Sequence, residues 1–113
     1  MSMFENIPIK LIFFALVLAA TLFEVVGDVF FKKWSLDNNN IILIAGFIIY
    51  FIGTVFWAFS LKYEGLAKSI SILTVLNLIV VVLVGVLYFK EDLSLVNKVG
   101  IVLGIVSVAL IEL

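Results

Sequence analysis

The sequence contains no cysteine and no histidine, a single proline, and few charges, with 13% of its 113 residues being Asp, Glu, Lys or Arg. Without cysteine there is no disulfide framework, thiolate metal site or thiol chemistry. Without histidine the commonest general base and metal ligand is gone. Seven lysines oppose eight acids for a formal net charge of −1, so there is no basic patch of the kind that binds nucleic acid. No nucleophile is paired with a base, no cluster of metal ligands stands out, and no glycine loop could cradle a phosphate, so neither an enzyme nor a cofactor is expected. What fills the chain is apolar: 65% of its residues are hydrophobic, against roughly half in an ordinary soluble domain, which is also about a quarter charged. A chain of this length is one domain at most. With too few polar residues to cover a wetted surface, its expected solvent is the lipid bilayer.

Four apolar stretches each approach the ~20 residues needed to span ~30 Å of hydrocarbon. They predict helices over about 9–33, 40–62, 66–89 and 95–112, the whole of 1–113 forming a single all-α domain of four transmembrane helices. The links "KKWSLDNNN", "KYEG" and "KEDLS" hold the turn formers and caps, and Glu91 and Asp92 in the last read as solvated turn residues. Links this short make consecutive helices antiparallel neighbours. Backbone groups in hydrocarbon must pair internally, which favours helices throughout. A signal peptide is the competing reading of the first run, but the run continues to Phe31 without a convincing cleavage site. Pro8 precedes the first span or sits in its first turn, where its missing N–H costs nothing.

Lysine placement gives no orientation. Lys10, Lys62 and Lys68 fall near one membrane face and Lys32, Lys33, Lys90 and Lys98 near the other, three against four. The excess of cytoplasmic lysine that orients a membrane protein is missing, so dual topology, with oppositely inserted copies pairing, is expected.

The most informative stretch is "LFEVVGDVFFKK" at positions 22–33. Glu24 lies just past the middle of the first span and Asp28 one turn beyond it on the same face, their side-chain origins ~5–6 Å apart. An ionised acid at a helix centre costs ~2.5–3.5 kcal/mol on insertion scales, so acids there mark ion or substrate pathways by default. Burial and a neighbouring carboxylate both disfavour the charged form, so such a pair is apt to hold a proton and trade it for a cation. The bland alternatives are an Asp28 that reaches water beside Lys32, and a Glu24 that merely hydrogen-bonds between helices. Gly27 permits close approach of either a ligand or another helix.

Other polar and small residues extend the pattern. Lys68, Ser71, Thr74 and Asn77 recur every three residues along the third span, predicting a polar stripe that lines a cavity facing Glu24, with ordinary interhelical hydrogen bonding as the alternative. Lys68 either snorkels or pairs with an acid. In the second span Tyr50 and Trp57 share a face, as do Gly46 and Gly53, each pair one heptad apart. Gly100 and Gly104 form a GxxxG pair, extended by Ser107 or Val108, which allows close helix contact.

"FEVVGDVFFKKWS" resembles the first-helix motif of the small multidrug resistance family, with Glu24, Val25, Gly27, Lys32 and Ser35 in place. "GIVLGIVSV" is similar to that family's dimerisation stretch, with Gly100 and Val108 matching and Ser107 where a second glycine is usual. The resemblance implies an antiparallel two-fold homodimer whose glutamates bind protons and substrate alternately, with a cavity-facing tyrosine at Tyr50 and a dimer seam at Gly100, Gly104, Ser107 and Val108. The third helix departs from it: Ile70, Leu73, Val75 and Asn77 replace the family's Tyr, Trp and two Gly, and Asp28 replaces a hydroxyl or small residue. Instead, "AKSISILTVLNLIVVVLVGVLYFKEDLS" resembles a half-module of the larger EamA-type drug/metabolite transporters.

Together these readings predict a proton-coupled exporter of small cationic or amphipathic metabolites or drugs in a multi-pass prokaryotic inner or plasma membrane. Protons would be the coupling ion, Glu24 the shared carboxylate, and Asp28, Tyr50, Ser71, Thr74 and Asn77 the rest of the site, supported by Gly27 and Lys68. The alternatives are a flippase for lipid-linked intermediates and a non-transporting partner subunit.

Overall fold

A computed structural model describes residues 8–113 of the chain. The described residues form four helices: α1 (Ile9–Asp37), α2 (Asn40–Ser60), α3 (Leu66–Leu87) and α4 (Leu95–Glu112). Pro8 caps α1, its carbonyl accepting from the N–H groups of Leu11 and Ile12. The first helix continues past Lys33, where the sequence reading ended it, because nothing in "KKWSLD" breaks a helix. Asn38 ends it instead, in the left-handed conformation (φ 57°) with its N–H donating to the Trp34 carbonyl at 2.7 Å. Asn39 then caps α2 by accepting from the Ile41 N–H, and Trp34 Nε1 braces the turn by donating to Asn40 Oδ1. α2 stops at Ser60 rather than 62, as Lys62 and Tyr63 bond back three residues in a tightened turn. Ser94 caps α4 through the Asn97 N–H.

α1 is the hub. It packs along α2 on one side and α3 on the other, while α4 lies against α3. Five of its buried positions, Phe13, Val17, Ala20, Glu24 and Gly27, are spaced alternately four and three residues apart, the 3.5-residue repeat of a helix seam, with Thr21 and Val25 buried beside them. Phe13, Val17 and Ala20 form a core with Ile72 and Leu73 of α3, and Phe56 and Trp57 of α2 pack on it.

The assembly is a slab of 53 × 36 × 20 Å, about two helix diameters thick at ~10 Å each. Side chains such as Phe47, Phe51, Leu83 and Leu103 are exposed on its faces, a liability in water and the normal condition against acyl chains. Three helices are long and apolar enough to cross a membrane. The fourth is apolar but has 18 residues, which at 1.5 Å each extends about 27 Å, slightly short of a full span.

Candidate functional site

Glu24 occupies the midpoint of α1 and the seam itself, with 5% of its surface exposed. Glycine on the facing helix makes this possible: a Cβ at Gly53 would lie 3.0 Å from both Glu24 Cγ and the Ala20 carbonyl oxygen. From α3, Asn77 Nδ2 donates to Glu24 Oε2 at 3.0 Å. The carboxyl group is thus gripped between a glycine of α2 and an amide of α3. Its partner is neutral, so no ammonium neutralises it through this bond. The other end of the amide, Asn77 Oδ1, is buried and has no hydrogen-bond partner among the described residues.

Asp28, one turn on, is half-buried and lines a cleft of ≈ 190 Å³ between α1 and the end of α3, together with Val25, Lys32, Val84, Gly85 and Glu91. The cleft owes its shape to a reversal after α3. Tyr88 and Phe89 both bond back to the Val84 carbonyl, Lys90 adopts a left-handed conformation (φ 56°), and the Glu91 N–H donates to the Gly85 carbonyl at 3.0 Å. This lays the Glu91 carboxylate over Gly85, where a Cβ would come within 2.6 Å of Oε1. Lys33 Nζ sits 5.3 Å from the Tyr88 ring centroid and ties the two helix ends together at the rim. Glu91, expected as a solvated turn residue, is exposed yet also faces Asp28 and Lys32 across the cleft. The signal for it is the small Gly85 two residues before the end of α3, which leaves room for a returning side chain.

The remaining sequence-nominated residues divide. Tyr50 is half-buried on the α1–α2 seam, its ring 6.0 Å from that of Phe31. Gly27 serves helix packing, since a Cβ there would meet Tyr50 Cβ at 3.1 Å and the Gly46 carbonyl oxygen at 3.2 Å. The stripe on α3 does not hold one side. Asn77 reaches Glu24, Ser71 donates to the Ala67 carbonyl of its own helix at 2.7 Å, and Thr74 and Lys68 are exposed. A three-residue step turns about 300°, so each step slips about 60° and Lys68 ends opposite Asn77. The α1-facing side of α3 instead carries Ser69, Ile72 and Leu73, all buried, and the sequence reading missed Ser69, whose hydroxyl is buried without a partner.

On α4, Gly104 would place a Cβ 3.6 Å from Leu78 Cδ2, an ordinary contact, while Gly100 has no neighbour within 4 Å. Ser107 is exposed and Val108 half-buried. Within one chain, then, Gly104 makes an ordinary contact with α3 and Gly100 makes none among the described residues. Among the described residues no group of three or more acidic side chains could hold a metal ion.

Chemically, the arrangement offers a dry carboxyl group with one amide partner, and one turn away a second carboxylate open to a mixed-charge cleft. Compared with known proteins, the chain finds no match among curated proteins or solved structures. The family model of the EamA-like transporters matches residues 2–113, in keeping with the apolar helices. The chain therefore belongs to the EamA-like transporter family and is an integral, multi-pass membrane protein.

Proposed function

We propose that the protein is a proton-coupled exporter of small cationic or amphipathic compounds, working by alternating access in a two-fold, antiparallel homodimer with α4 completing the membrane crossing. The observation that carries this reading is the burial of Glu24 at the centre of α1 with an amide as its hydrogen-bond partner. A carboxyl group so placed is costly when charged and unsolvated, so it favours either a proton or a bound cation. Asp28, one turn from Glu24 and lining the cleft, is the natural relay by which protons or cations would reach it. Lys32 and Glu91 would then bias what enters.

The test is direct. Purified protein in liposomes, challenged with guanidinium, quaternary ammonium and polyamine compounds, should release protons as cation binds. Absence of proton release across the panel overturns the reading. A flippase for lipid-linked intermediates is the second reading, favoured by the largely aliphatic lining of the cleft, where Val25, Val29, Val81 and Val84 stand with a single aromatic ring, Phe89. It predicts scrambling of a labelled lipid without proton release.

A slab 20 Å thick with exposed apolar faces can hardly enclose a translocation path by itself, which supports a dimer. Gly100 gives a clean probe, since a Cβ there meets nothing within 4 Å among the described residues. Gly100→Leu should shift the detergent-solubilised dimer to monomer, read by size-exclusion chromatography with light scattering. An unchanged dimer removes α4 from the interface.

A further inference from the structure

We infer that Asn77 makes the site selective for cations that carry N–H donors, by offering its orphan carbonyl as a second acceptor beside Glu24; this deepens the proposed function and rests on it. A primary amide has a donor end and an acceptor end. In Asn77 the donor end is committed to Glu24 Oε2 at 3.0 Å, whereas Oδ1 is buried with no partner. Buried acceptors are nearly always satisfied, so an orphan beside a functional carboxyl group calls for an occupant. Because Nδ2 and Oδ1 share one carbon, both lie within reach of whatever sits on that carboxyl group.

Two occupants fit, and they alternate. When Glu24 is protonated its O–H can donate to Oδ1, so acid and amide pair through two hydrogen bonds. When a cation arrives, Glu24 gives its proton to water and becomes a carboxylate, and an acceptor facing a carboxylate is repelled unless a donor stands between them. A cation with two or more N–H groups supplies it, donating once to the carboxylate and once to Oδ1. A quaternary ammonium ion has no N–H, satisfies only the charge and leaves Oδ1 unpaired. A site built to hydrogen-bond a substrate N–H rejects the analogue lacking it because its own polar group stays buried and unmet. The substrate class this points to is primary ammonium or guanidinium compounds.

The experiment compares apparent affinities for a primary alkylammonium or guanidinium ion and for a tetraalkylammonium ion of similar size, read as proton release from the detergent-solubilised dimer. The parent should favour the N–H-bearing cation by about tenfold or more, the usual weight of one hydrogen bond to a charged group. Asn77→Leu, branched like asparagine but with neither donor nor acceptor, should bring the ratio close to one, because losing the bond to Glu24 Oε2 weakens both cations alike and losing the acceptor weakens only the N–H-bearing one. Asn77→Gln, which keeps the amide, should restore part of the preference. A merely structural Asn77 would weaken all cations alike, so an unchanged ratio in Asn77→Leu overturns the inference and leaves the exporter reading standing. If no cation releases protons from the parent, the exporter reading and this inference fall together.

Discussion

Glu24→Gln should yield a folded protein whose proton release on addition of cations falls to the level of protein-free liposomes. Glutamine has the shape of glutamate, and its side-chain oxygen can still accept from Asn77 Nδ2, so the bond between α1 and α3 survives. The contact with Gly53 is likewise kept. What disappears is the ability to gain and lose a proton at the centre of α1. Placing a charge at mid-membrane costs ~2.5–3.5 kcal/mol, and glutamine never carries one, so thermal stability in detergent should match or exceed that of the parent. The combination is diagnostic: stability retained with proton release lost assigns Glu24 a chemical role. If the variant releases protons like the parent, Asp28 or another acid carries the exchange. An unstable variant would make Glu24 a structural strut. Asp28→Asn, by contrast, should slow exchange without abolishing it if Asp28 only relays.

Much of this was legible in the sequence, for reasons that also mark where legibility ends. The helices follow from uninterrupted apolar runs separated by Asn, Gly and Ser, and an acid inside such a run stands out because hydrocarbon penalises it. That Glu24 faces protein is seen only in the structure, where it continues the buried 13, 17, 20, 24, 27 series, because α1 is apolar all round and its sequence singles out no face. The partner across the interface is another matter: Asn77 is 53 positions away, and nothing in the local pattern of α3 says which of its polar residues turns toward α1. The step of three looked like a stripe and is a slow spiral, so Ser71, Thr74 and Lys68 rotate off the face that Asn77 shares with Leu73. Gly27 shows a different limit, since a glycine in a membrane helix looks the same whether it admits a ligand or a helix, and only the nearby Tyr50 and Gly46 decide for the helix. Glu91 was hidden by the reversal through Lys90, a left-handed residue that no glycine or asparagine announces.

The glycines of α2 carry the second large effect. Gly53→Leu should strongly destabilise the protein, because the space a side chain needs is held by groups that cannot retreat. Its Cβ alone would stand 3.0 Å from the Ala20 carbonyl oxygen, from Phe23 Cβ and from Glu24 Cγ, all on or next to the α1 backbone. Three more carbons must push the two helices apart, and overpacking of this kind costs typically ~1–3 kcal/mol. The gain in helix propensity over glycine, up to ~1 kcal/mol, does not offset that. Separation of α1 from α2 would also release Glu24 from the seam, so whatever fraction stays folded should bind cations less tightly. Gly104→Ala is the control, since its Cβ meets Leu78 at an ordinary 3.6 Å and stability should be unchanged or slightly higher. Thermal unfolding in detergent, followed by the loss of monodisperse protein, separates the two variants. If Gly53→Leu melts with the parent, α2 does not pack against Glu24 at this point, and the glycine that lets a carboxyl group sit between two helices has been misplaced.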